Sequence, residues 1–103
     1  MRENMALKFK FDTWFDEQLI EVIKEMPDKF SSHEFILAFA QKHQALYIDL
    51  LYSYREKDPF EIAHGRLAKH LNDFGDLIVY DGEVLSADIF KRSNKCASWR
   101  KKI

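Results

Sequence analysis

The residues best equipped for chemistry fall between Glu61 and Asn72, where His64, Arg66, Lys69, His70 and Asn72 gather donors along one predicted helix. Donors on the outer side of a helix can meet phosphate oxygens and base edges in a DNA major groove. Glu61 and Asp73 interrupt the series, and a charged face of this kind also serves an ordinary solvated helix. A second cationic set, Lys91, Arg92, Lys95, Arg100, Lys101 and Lys102, crowds the end of the chain. Placed on a β-ribbon, it would gain from counterion release at a phosphate backbone; its alternative role is a lysine-rich terminus that keeps the protein soluble.

Other constellations support no reaction. Glu61-x-x-His64 has the carboxylate and imidazole spacing that di-metal bundles use twice, but it occurs once. His64 and His70 are six residues apart and point in different directions on a helix, His33 lies in a first helical turn, and His43 falls on a packed stripe. Asp73-Phe74-Gly75 spells a kinase metal-binding tripeptide without the glycine loop or catalytic loop that must accompany it. Cys96 has basic neighbours but no acid or histidine beside it. With no glycine-rich phosphate loop and no nucleophile elbow, the expectation is a binding protein with no catalytic residues, no metal and no cofactor.

At 103 residues the chain suits a single domain over 1–103, and its 47% hydrophobic and 15% aromatic content supplies a core. The net charge of -1 denies it the domain-wide positive field of many nucleic-acid binders. The signs are segregated, however: Asp12, Asp16, Glu17, Glu21, Glu25, Asp28 and Glu34 occupy the first third, and the cations occupy the end. This predicts an acidic side and a basic side. One cysteine excludes an internal disulfide and suits a reducing, cytoplasmic setting. No apolar run approaches the roughly 18 residues of a membrane span, so no membrane partner is expected.

The elements that position these residues can be placed from local signals. Residues 1–11, with Leu7, Phe9 and Phe11 alternating, could form an arm or a short strand. From Thr13, read as a cap, the spacing of Phe15, Leu19, Val22, Ile23 and Met26 predicts a helix that Pro27 terminates. Ser31 and Glu34 form a capping box, with Phe30 and Phe35 at the staple positions. The helical region that follows, 32–56, is apolar on several sides and suits a homodimer or protein partner; Gln41 to Gln44 could divide it in two. Asp58 as cap with Pro59 at the first turn opens the next helix, and Gly75 in a left-handed conformation is expected to stop it. Asp81-Gly82 predicts a tight hairpin turn between Leu77–Tyr80 and Glu83–Leu85. A loop at 91–95 then leads to a last strand around Ala97 to Lys101, with Trp99 as its inward anchor or, alternatively, a stacking platform for a base.

This order of elements, helices followed by a capped Asp58-Pro59 helix, the Leu77 to Leu85 hairpin and a closing Trp99 strand, resembles the winged helix-turn-helix superfamily from about Thr13 to Lys102. The resemblance implies an α+β fold with three or four helices and a small antiparallel sheet at the C-terminal end. It also implies a double-stranded DNA-binding transcriptional regulator, often dimeric. Its reading helix would carry His64, Arg66, Lys69, His70 and Asn72, and its wing Lys91, Arg92, Lys95, Arg100 and Lys101. The alternative on the same fold is a protein-interaction module. Ser31 to Glu56 is longer than the family's second helix.

Overall fold

The computed structural model describes residues 9–102. They form four α-helices, α1 (Thr13–Glu25), α2 (Ser32–Lys42), α3 (Gln44–Ser53) and α4 (Pro59–His70), and three strands, β1 (Lys29–Ser31), β2 (Ile78–Ala87) and β3 (Ser93–Lys101). The sheet is antiparallel in the order β1-β3-β2, so β3, last in sequence, is its central strand. This α+β arrangement agrees with the expected class. No helix among the described residues is long and apolar enough to cross a membrane.

Residues 9–11 have no regular structure. Phe9 and Phe11 instead stack edge-on against Phe15, with ring centroids at 4.9 and 5.3 Å. The rest of the expected arm or strand lies outside the described residues. Helix α1 is capped by Asp12, one residue before the expected Thr13, through a 3.0 Å bond from the Phe15 amide to its carboxylate. It ends at Glu25 because Met26 precedes Pro27 and is held extended, with ψ of 156°.

The capping box at the start of α2 is complete. The Ser31 hydroxyl accepts from the Glu34 amide and the Glu34 carboxylate accepts from the Ser31 amide, at 3.0 and 2.8 Å. The helical region breaks at His43, whose φ of -120° and ψ of 63° separate α2 from α3. Without glycine or proline, the break is fixed by packing. The His43 ring is inclined against Phe39, and its Nε2 lies 3.0 Å from Glu21 of α1, at ion-pair distance but out of line for a hydrogen bond.

Four local expectations are corrected. Asp58 precedes α4 in a left-handed conformation and its side chain makes no capping bond, so Pro59 and packing define that start. Gly75 does not stop the helix through a positive φ; the chain tightens into a 3-10 turn at Leu71–Asp73, which the Phe74 amide closes onto Leu71. Asp81-Gly82 does not turn the chain: β2 continues through it as a bulge, with Tyr80 opposite Trp99 and Glu83 opposite Ala97. A bulge and a tight turn both call for positive φ, and Gly82 supplies it at 84°. The reversal comes instead at Asp88–Arg92, where the Asp88 carboxylate accepts from the Phe90 and Arg92 amides at 2.8 and 3.0 Å, and Lys91 takes a φ of 66°. The expected loop at 91–95 is therefore mostly β3 itself.

One core joins Phe15, Leu19, Val22 and Ile23 of α1 to Phe35 and Phe39 of α2, Leu50 of α3, Ala63 and Leu67 of α4, Leu71, and Ile78 and Trp99 of the sheet. Ser31 and Ser32 are buried where helix meets sheet, and Ser31 Oγ lies 2.9 Å from Ser86 Oγ of β2. Because Ser31→Ala removes both the cap and this cross-link, it should lower stability by about 1–2 kcal/mol in urea titration. An unchanged midpoint would show that neither contact matters to folding.

Candidate functional site

Helix α4 is amphipathic in a way that leaves one side uncovered. Ala63, Leu67 and Leu71 face the core, whereas Phe60, Glu61, Gly65, Arg66, Lys69 and Asn72 are exposed. The β2–β3 hairpin rises beside that uncovered side. Between them lies a groove of about 1240 Å³, walled by Phe60, His64, Gly65 and Ala68 on one side and by Tyr80, Phe90, Ala97 and Trp99 on the other. Ser32, His33 and Ile36 of α2 form its back.

The hairpin is held against the helices at several points. At its tip, Phe90 meets Phe60 edge-to-face, with centroids 5.0 Å apart and planes at 90°. Further down, His33 Nδ1 lies 2.9 Å from the Ser86 carbonyl, which can only accept, so His33 carries its proton on that nitrogen. Arg92 pairs with Asp88 at 3.3 Å and covers the Phe90 ring at 5.1 Å. Hydrogen bonds donated by the backbone N–H of Arg92 and then of Phe90 hold the Asp88 carboxyl below its ordinary pKa.

The structure divides the sequence-derived residues into three groups. His64, His70 and Lys101 are half-buried and turned into the fold. His64 Nε2 lies 2.6 Å from Tyr47 Oη, with the rings stacked; His70 stacks on Phe11 and lies between Asp16 and Asp73 at 3.7 and 3.5 Å; Lys101 donates to the Lys24 carbonyl of α1. Arg92 and Arg100 are engaged by carboxylates, Arg100 with Asp81 at 3.4 Å. Arg66 and Lys69 on α4, and Lys91 and Lys95 on the hairpin, are exposed, and among the described residues no carboxylate lies within ion-pair distance of them. Asn72, also exposed, spends one amide donor on the Lys69 carbonyl.

Of the supporting residues, Tyr47, Ser86 and Phe90 carry no role in the sequence reading and His33 only its place in a first helical turn; helical spacing puts Phe60 on the core face of α4, whereas it is exposed because it turns to the groove and lies against Phe90. Tyr47 and His64 belong to different helices, and nothing in sequence spacing pairs them. Asp88 did leave a signal, since an aspartate at the first position of a turn accepts amides two residues on. No metal-holding group of His, Cys, Asp or Glu occurs among the described residues. Comparison with protein-family models, with curated proteins and with solved structures returns no match for the chain.

Burial holds the His64 pKa below its ordinary value near 6.5; Asp88 partly opposes this and His33 adds to it. A histidine depressed in the fold binds protons less readily there than in the unfolded chain, so stability rises with pH between the two values. The contribution is complete above about 6.5 and is lost as pH falls through the folded value. An NMR titration of the imidazole should give a midpoint under 6.5, rising in Tyr47→Ala, which lets water reach the ring. A midpoint at or above 6.5 would mean that the ring is not buried as described.

Proposed function

We propose that the chain is a winged helix-turn-helix domain that binds double-stranded DNA as a small cytoplasmic regulator. In this reading α4 enters the major groove and the β2–β3 hairpin is the wing; the chain binds rather than catalyses. The order of elements supports the fold reading, with helices first, α4 directly before the hairpin, and α3 as an addition. The observation that carries the function is the quartet Arg66, Lys69, Lys91 and Lys95. These exposed cations lie on the two elements that flank one groove, free to meet phosphates.

Such a protein binds with modest affinity and pronounced salt sensitivity. Each phosphate neutralised adds about 0.9 to the slope of log affinity against log salt. Fluorescence anisotropy with random duplex DNA at several salt concentrations should give a slope of about -3 to -4 for the wild type. Replacing Arg66, Lys69, Lys91 or Lys95 singly by alanine should take about one unit off it. Absence of salt-dependent binding, or a quadruple alanine variant with the wild-type slope, would refute the reading.

Helix α3 favours a second, non-exclusive role in protein association. Ile48 and Tyr52 are 61% and 62% exposed, one turn apart, and the Arg55 guanidinium lies 4.1 Å from the Tyr52 ring centroid. A helix apolar around its circumference and covered on one side only suits a homodimer or another protein. Light scattering behind a sizing column should report a species larger than the monomer that Ile48→Asp dissociates without lowering the melting temperature. A monomeric wild type at high concentration would remove the homodimer.

A further inference from the structure

We propose that the groove between α4 and the hairpin captures a peptide segment of a partner protein, one that carries a basic side chain beside a bulky apolar anchor. At about 1240 Å³ the groove exceeds the roughly 300–1,000 Å³ of small-molecule pockets. Two edge-to-face aromatic pairs wall it, Phe60 with Phe90 at 5.0 Å and Tyr80 with Trp99 at 5.8 Å. Phe60, Tyr80 and Phe90 remain 43%, 56% and 45% exposed, so most of this aromatic surface still faces water.

Gly65 shows where a partner would approach. It lies inside α4, where glycine is less stable than alanine, yet a Cβ built on it would meet nothing within 4 Å. The fold does not require glycine at this position. Leaving out that side chain opens the α4 wall beside Ala68 and opposite Ala97, which lets another backbone come close.

Charge selects the class of partner. Asp58, Glu61, Glu83 and Asp88 line the groove against Lys69 and Arg92. Because Asp88 and Arg92 satisfy each other, Asp58, Glu61 and Glu83 remain against one lysine. A phosphate backbone is repelled from this rim and a lysine or arginine side chain is drawn to it. Arg66, Lys91 and Lys95 do not line the groove, so of the four cations of the DNA reading Lys69 alone reaches it.

The probe is a phage-displayed random dodecapeptide library panned on the whole chain, followed by affinity measurements on a synthetic copy of the most enriched sequence. Enriched peptides should pair Lys or Arg with Leu, Phe or Trp. Gly65→Leu, and the double variant Glu61→Lys with Glu83→Lys, should each weaken the synthetic peptide by at least about tenfold. Lys91→Glu with Lys95→Glu should leave it unchanged, which separates this proposal from DNA binding. Gly65→Ala, melting at or above the wild type, confirms that the fold does not need the glycine. Failure to enrich, enrichment of acidic sequences, or wild-type affinity in the rim double variant would overturn the proposal.

Discussion

The fold turns on Trp99. Its strand, β3, is the middle of the sheet, and its register sets Phe30 of β1 on one side and Tyr80 of β2 on the other. The indole is 4% exposed, and its N–H donates to Ser32 Oγ at 3.0 Å. A buried indole N–H left without an acceptor would lose its hydration for nothing, so the Ser32 bond determines where the sheet can sit. Ser32 is the first residue of α2 and Ser31 its cap, so the residues that begin the helix also orient the sheet. From that junction the hairpin has one direction in which to rise, alongside α4.

Features controlled by neighbours in sequence were legible before the structure. The Ser31–Glu34 box, the Phe30–Phe35 staple and the end of α1 before Pro27 depend on residues within five positions of one another. Asp81-Gly82 misled because its local demand, a positive φ, is common to a bulge and a turn, and only pairing with β3 distinguishes them. Gly75 and Asp58 show the reverse case, residues with strong local preferences that tertiary packing overrode. The break at His43 was legible as a polar interruption, but part of its cause lies across the interface with α1, in Glu21.

The candidate site was legible by composition and illegible by orientation. Ten side chains followed from charge and spacing, yet a helical period of 3.6 cannot tell which flank of α4 another helix will cover. Tyr47 of α3 covers the His64 flank, while Phe11 and Asp16 cover the His70 flank. The expected acidic side is also partly spent within the fold. Glu25 holds Lys42 at 3.0 Å, Glu21 lies by His43 and Asp16 by His70, so α1 uses its carboxylates toward the helices it packs against. A net charge of -1 therefore understates how free the remaining surface cations are.

The hairpin wall of the groove is anchored near both of its ends. Trp99 fixes the end that carries Tyr80, and the Ser31–Ser86 contact with the His33 bond to the Ser86 carbonyl fixes the end just before the turn, all of them buried or half-buried. The tip rests on Phe60 and Phe90, both well exposed, and an exposed aromatic pair contributes on the order of 0.5–1.5 kcal/mol. The bulge at Asp81-Gly82 lies between the Trp99 and Ser86 anchors, so it sets the angle of the strand without loosening either end. Binding to a wall held at both ends loses little ordering entropy and adds partner contacts to the exposed Phe60 and Phe90 rings.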